Sequence, residues 1–453
     1  MMRSGALVTL GLALVVVLVT GVAAQQPVSA PRLVVTEATL DNGLRVLVQE
    51  DPRNPIVSVQ ILYRVGSRNE LPGATGLAHF LEHLMFKGTP TRGRGEISRV
   101  IEQNGGRDNA FTTKDMTGYF TNIAADRLDL VLAIEADRMR NLLLDPAEID
   151  SERKVVMEER RMRTDDDPDG AVYEAMNSLA FKASSYRWPV IGWAVDIERI
   201  NPTELRAFYD LYYRPNNAVL IVVGDVKTAE VLDRVRHHFG AIPRGTPPPP
   251  VTAIEPPQTD ERRLVMRRQG AELPTVNIAW HVPNYTSSDA PALELLSTLL
   301  SEGRASRLYR RLVYEKRMVL GAGGEYSYSS IEPSLFWFYA TPLPGHTPEA
   351  VEQALMEEVE RLKQEPVPSE ELERARNQIE AGFVWQQDSV FSRSSVLGRF
   401  EILGSWRLLE QYLPRLRAVT PADVQRVART YFPVDRKNVS ILLPAEPAVA
   451  TTR

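Results

Sequence analysis

The chain has 453 residues, 43% hydrophobic and 25% charged, with a net charge of -5 and a pI near 5.9. That length exceeds what one hydrophobic core usually organises, so two or more domains are expected. The mild acidity and scattered basic residues exclude the electrostatic footprint of a nucleic-acid binder. With no cysteine in the chain, disulfides and thiolate metal sites are excluded, and His, Asp and Glu remain as possible ligands for zinc.

At the N-terminus Arg3 precedes an apolar run from Ala6 to Val22, and small residues follow through Ala24. This pattern reads as a secretory signal over residues 1–24. An uncleaved membrane anchor is the alternative, since the run nearly reaches the roughly 20 residues that span a bilayer. Either reading makes the protein exported, periplasmic or secreted, and a chain without thiols suits an oxidising compartment.

The segments GLRVLVQED and IVSVQILYRVG alternate apolar and polar residues, as strands of a half-buried sheet do. GLAHFLEHLMF has apolar residues at helical spacing, with Thr75 as the expected N-cap and Gly88 beyond its end. DRLDLVLAIEADRMRN and DPAEIDSERKVVMEERRMR read as longer amphipathic helices. The acidic run from Asp165 to Gly170 resembles the start of a calcium loop. Met176 stands where such a loop needs a bidentate Glu and Pro168 interrupts it, so it reads as a solvated turn.

The stretch 242–257, IPRGTPPPPVTAIEPP, cannot continue a helix or a central strand and forms a stiff linker. It separates residues 25–241 from 258–445, with a short tail over 446–453. The two halves close on similar strings, INPTELRAFYDLYYRPNNAVLIVVGDV and VTPADVQRVARTYFPVDRKNVSILLPAE. Each runs from a Pro and an acidic residue through a helix and an aromatic pair to a β-branched strand, which argues for an internal duplication. ALELLSTLL, ALMEEVERLKQ and SEELERARNQIEAGFVWQQ supply helices to the second half, and LPTVNIAWHV and SLFWFYATPL supply strands. The expected fold is α+β, with two homologous halves, each a mixed, mainly antiparallel sheet flanked by helices.

Of the six histidines, His79 and His83 lie four apart on the GLAHFLEHLMF helix and leave its same face. With Glu82 they form H-x-x-E-H, the inverted zincin motif. Two neutral imidazoles can hold zinc, and the adjacent carboxylate can take a proton from the water that zinc activates. The interleaved Leu77, Phe80, Leu81 and Leu84 make the helix a buried one, where imidazoles need partners. A catalytic site needs a third ligand. His237 and His238 fall on a separate surface helix, so a carboxylate must serve. Glu152, Glu158 and Glu159 share one helix, with Glu152 and Glu159 two turns apart on one face, and spacing does not choose among them.

These strings, together with NGGRDNAFTTKDMTGYF and YRWPVIGW, resemble the pitrilysin and insulinase family of zinc peptidases. The resemblance is to the branch of the mitochondrial processing peptidase subunits and their bacterial relatives in particular, and it spans essentially the whole mature chain. It implies Glu159 as the third zinc ligand and Glu152 as a supporting acidic residue beside the metal, acting with the catalytic Glu82. It implies duplicated halves that enclose a chamber for unfolded peptides, with Asn109 and Ala110 offered to the substrate backbone as a β-strand partner. Active relatives also carry an Arg and a Tyr seven apart in the second half, which bind the substrate carbonyl and the oxyanion. Val313 and Leu320 stand at those places, while Arg310, Arg311, Tyr314 and Tyr326 are at other spacings. The expectation is a zinc endopeptidase subunit paired with a metal-free homologue that supplies the Arg/Tyr pair, with a homodimer possible. The alternatives are a non-catalytic peptide-binding subunit and a scaffold subunit.

Overall fold

The computed structural model describes residues 34–445; the expected signal over 1–24 and the tail over 446–453 lie outside the described residues. The first sheet comprises β1 (Thr36–Thr39), β2 (Arg45–Glu50), β3 (Ile56–Tyr63), β4 (Arg107–Thr112), β5 (Thr117–Ala124) and β6 (Ala218–Gly224). The second comprises β7 (Arg262–Arg268), β8 (Thr275–Val282), β9 (Val319–Tyr326), β10 (Ser334–Pro342) and β11 (Asn438–Pro444).

Their orders are β1-β2-β6-β3-β5-β4 and β7-β11-β8-β10-β9. Leaving β1 aside, the second sheet repeats the first position by position. In each, one outer pair is parallel, β2 with β6 and β7 with β11, and the remaining pairs are antiparallel. β6 is buried at every residue, which is why it reads as the uninterrupted run AVLIVVG rather than an alternation.

The first-half helices are α1 (Leu77–Leu84), α2 (Glu96–Gln103), α3 (Leu128–Arg140), α4 (Pro146–Arg160), α5 (Pro168–Ala180), α6 (Ala194–Ile197), α7 (Pro202–Tyr212) and α8 (Thr228–Phe239). The second half adds α9 (Ala290–Ser301), α10 (Pro348–Gln364), α11 (Ser369–Trp385), α12 (Val390–Leu403), α13 (Leu408–Ala418) and α14 (Pro421–Tyr431). α7 and α14, which precede the equivalent strands β6 and β11, both open with Pro after a capping box, Asn201 with Glu204 and Thr420 with Asp423. Asp167 caps α5 and Pro168 opens it, so the acidic run is a helix start.

The halves exchange one helix each. α5 of the first half packs on β7, β8 and β11, and α12 of the second packs on β3 and β6. Gln60 Nε2 donates to Ser394 Oγ and Ser395 Oγ, both at 2.8 Å, across the second contact. Gly398 lets α12 lie close, because a Cβ there would sit 2.4 Å from Leu62 Cδ1. One face of the first sheet, through Leu47, Leu62, Val219 and Ile221, therefore shares an apolar core with Val276, Ile278 and Phe336 of the second. Its other face, through Val59, Ile61 and Val222, packs against Phe80, Leu81, Val131 and Leu205. Residues 242–257 carry no helix or strand. Glu255 anchors that segment by accepting the backbone N–H groups of Lys182, Ala183 and Ser184 at 2.8–3.0 Å.

Candidate metal centre

The start of α1 differs from the sequence expectation. Gly76, with φ at 92°, is the N-cap, and a Cβ there would lie 2.6 Å from Ile191 O. Thr75 does not cap the helix, because its hydroxyl donates to Asp196 Oδ2 (2.6 Å) and accepts from Trp193 N–H (2.9 Å). The cap comes from Glu70, whose two oxygens accept Gly76 N–H at 2.9 Å and Ala78 N–H at 2.8 Å. Burial raises the Glu70 carboxyl well above the usual range, with those two bonds opposing.

α4 packs across α1 and brings its carboxylates to the histidine face. Glu159 Oε2 lies 3.7 Å from His79 Nε2 and 3.4 Å from His83 Nε2. One donor atom from each of His79, His83 and Glu159 lies within 4.8 Å of the other two. Bonds of roughly 2.0–2.2 Å in a tetrahedron place neighbouring ligand atoms about 3.3–3.6 Å apart, so the donor set and its spacing fit a zinc ion. Glu152, two turns earlier, accepts His83 Nδ1 at 2.8 Å and pairs with Lys87. That leaves His83 Nε2 free to face the cluster. Glu152 thereby pairs with His83 through one oxygen and with Lys87 through the other. Glu158 turns outward to Arg161 (2.9 Å).

Glu82 stands beside the three. Its Oε2 accepts the Thr112 hydroxyl at 2.6 Å. Burial raises its pKa, against the bond from Thr112. Burial, together with the charge of His83, lowers His79 to about 4. Burial acts on His83 in the same direction, but Glu152 and Glu159 outweigh it and hold it up to about 9. His79 Nδ1 is buried with no hydrogen-bond partner among the described residues. Arg163 takes the other Glu159 oxygen at 2.9 Å.

Thr112, Lys87 and Arg163 are site residues that sequence reasoning passed over. Lys87 follows His83 by four and Arg163 follows Glu159 by four, so helical spacing carried a signal for both. Asn109 and Ala110 lie on β4, the edge strand that ends at Thr112. There Ala110 N–H donates to Asn109 Oδ1 at 2.8 Å. In the second half Val313 packs against the core, and Leu320 on β9 is 62% exposed. Arg310 pairs with Glu315, Arg311 with Glu358, and the Tyr326 hydroxyl donates to Pro283 O.

Beyond Thr112 a cavity of about 1130 Å³ opens between the halves, walled by Thr113, Lys114 and Asp115 on one side and Tyr326, Ser330 and Trp337 on the other. Asp115 accepts the Tyr186 hydroxyl (2.6 Å) within the first half and joins the halves by accepting Ile331 N–H (3.1 Å). Arg68 reaches both Asp115 (3.2 Å) and Glu332 (2.8 Å). Lys114 donates to the Tyr186 carbonyl, and burial lowers its pKa to about 7 against the pull of Asp115. Between about pH 7 and the unfolded value near 10.5 the unfolded chain binds the extra proton, so this lysine makes stability rise with pH there. Lys114→Met is expected to stabilise the protein most below pH 7. The gain should shrink steadily above it, as read from denaturant midpoints across pH; a gain independent of pH would refute this.

Two family models match the chain: "Insulinase (Peptidase family M16)" over residues 45–192 and "Peptidase M16 inactive domain" over residues 199–379. The zinc protease PqqE of Helicobacter pylori is 33% identical over 411 residues, 90% of this chain and 92% of that protein. A crystal structure of a protease from Helicobacter pylori superposes with a TM-score of 0.87 at 32% identity, covering 91% of this chain and all (100%) of that one. The periplasmic protease PqqL from Escherichia coli shares the fold, with a TM-score of 0.76 at 20% identity. That match takes in 90% of this chain but 47% of PqqL.

Proposed function

Because the chain belongs to the insulinase family of peptidases, M16, we propose that it is a zinc-dependent endopeptidase acting on unfolded peptides. The observation that carries this reading is the convergence of His79, His83 and Glu159 within 4.8 Å, with the Glu82 carboxylate beside them. His79 and His83 would hold the metal through Nε2 and Glu159 through Oε2. Bound there, zinc supplies Lewis acidity to the scissile carbonyl and brings the pKa of water towards ~7.

The chain's own groups do the rest. Glu82 takes a proton from the attacking water and returns it to the leaving amine, and the Thr112 bond fixes one of its oxygens so that the other faces the reaction. Glu152 and Lys87 hold His83 in the tautomer that presents Nε2. The peptide adds to the free edge of β4 as a strand, replacing the bond between Ala110 N–H and Asn109. The cavity between the halves receives its continuation.

Neither Val313 nor Leu320 can donate a side-chain hydrogen bond to an oxyanion, so the reading includes a metal-free homologous partner that supplies an Arg/Tyr pair. Export is part of the same reading, resting on Arg3 and the apolar run to Val22. The test is hydrolysis of a quenched, unstructured peptide by the purified, zinc-assayed chain, alone and with such a homologue. Activity is expected to rise by roughly 10²–10³ on addition, the usual worth of an oxyanion donor. Full activity alone would refute the shared site, and zinc without turnover in either case would refute the peptidase.

A further inference from the structure

The duplication places a second pocket where the metal cluster lies in the first half. α9 follows β8 as α1 follows β3, and each helix is followed by a glycine of positive φ, Gly88 at 129° and Gly303 at 73°. His83, Glu82 and His79 stand five, six and nine residues before Gly88; at the same offsets before Gly303 stand Thr298, Ser297 and Glu294. α11 packs on α9 as α4 packs on α1, and Gly382 lies as far into α11 as Glu159 lies into α4. The paired histidines are gone but the space remains. A cavity of about 760 Å³ is lined by Glu294, Thr298, Gly382, Phe383, Trp385 and Tyr412, among others. A Cβ on Gly382 would meet no atom of the described residues within 4 Å.

Glu294 is the one ionisable group left at the equivalent positions, and it is half satisfied. The Tyr412 hydroxyl donates to Oε1, while Oε2 is buried with no hydrogen-bond partner among the described residues. Burial lifts the carboxyl to about 7, against the bond from Tyr412. Around Tyr412 the rings of Tyr328, Phe383 and Phe400 lie at 5.3, 5.7 and 5.9 Å between centroids. An unfilled carboxylate acceptor beside aromatic rings favours a cation that carries N–H donors over an anion or an apolar group.

We propose that this pocket binds a primary ammonium group, from a lysine side chain or a peptide N-terminus, between Glu294 and the ring cluster around Tyr412. The pocket shares Tyr326, Ser327, Ser329, Gln386 and Arg399 with the larger cavity between the halves, so a peptide lying there has continuous access to it. Binding here needs neither zinc nor hydrolysis.

Calorimetric titration of the full chain with three small probes tests this: N-acetyl-lysine methylamide, its norleucine isostere, and alanine amide. The lysine probe or alanine amide is expected to bind at least roughly tenfold more tightly than the norleucine probe, as a charge-assisted bond requires. Which of the two binds identifies the source of the amine. Glu294→Gln should weaken amine binding by a similar factor. Gly382→Leu should abolish it by filling the open space from α11, and both variants should keep the zinc content of the unaltered chain. Amines binding no better than norleucine, or binding untouched by both substitutions, would overturn the proposal. So would amine binding that appears only in Arg399→Ala, since the chain's own guanidinium would then be the occupant.

Discussion

Glu82→Gln is expected to lower peptide turnover by roughly 10²–10⁴ while leaving bound zinc unchanged, the loss that removing a positioned general base brings. The carboxylate is not one of the three converging ligands, so metal content should not follow it. Glutamine keeps the shape and can still accept the Thr112 hydroxyl, so the change isolates proton transfer from packing. Metal analysis and single-turnover hydrolysis of the same preparation make the measurement. Retained turnover with intact zinc would remove Glu82 from the mechanism, whereas parallel loss of zinc and activity would make it a structural support of the cluster.

Much of this site was legible because it is local. His79, Glu82 and His83 occupy one helical face, and a spacing of four states that without any fold. The third carboxylate was not legible from spacing: Glu152 and Glu159 lie on the same face of α4. Only the crossing of α4 over α1 separates the one bonded to His83 Nδ1 from the one facing both imidazoles. Thr75 misled for the same kind of reason. A hydroxyl before an apolar run is the usual cap, but Asp196 and Trp193, far along the chain, had already engaged it. The duplicated sheet order could be anticipated from the matching ends of the halves. The exchange of α5 and α12 could not, since an apolar helix face does not declare which sheet will cover it.

The second large effect lies behind the site. Glu135 and Arg138 are each 1% exposed and bonded through Nε (2.8 Å) and Nη2. The guanidinium also lies over the rings of Tyr119 (4.4 Å) and Phe86 (5.4 Å), the latter just beyond the end of α1. Glu135→Gln leaves a buried cation without its counter-charge and is expected to cost about 3–5 kcal/mol, read from the denaturant midpoint. The double change Glu135→Leu with Arg138→Met removes both charges and should recover most of that loss. A single variant within about 1 kcal/mol of the parent would mean that water reaches the pair.

The exchanged helices also bear on ancestry. Two like halves, each lending a helix to the other's sheet, have the form of a symmetric dimer whose partners were later joined end to end. In a dimer of identical chains every change strikes both copies, so a histidine lost from one centre is lost from the other. Joining two copies end to end would remove that constraint. One half could then keep His79 and His83 while the equivalent positions of the other came to hold Glu294 and Thr298.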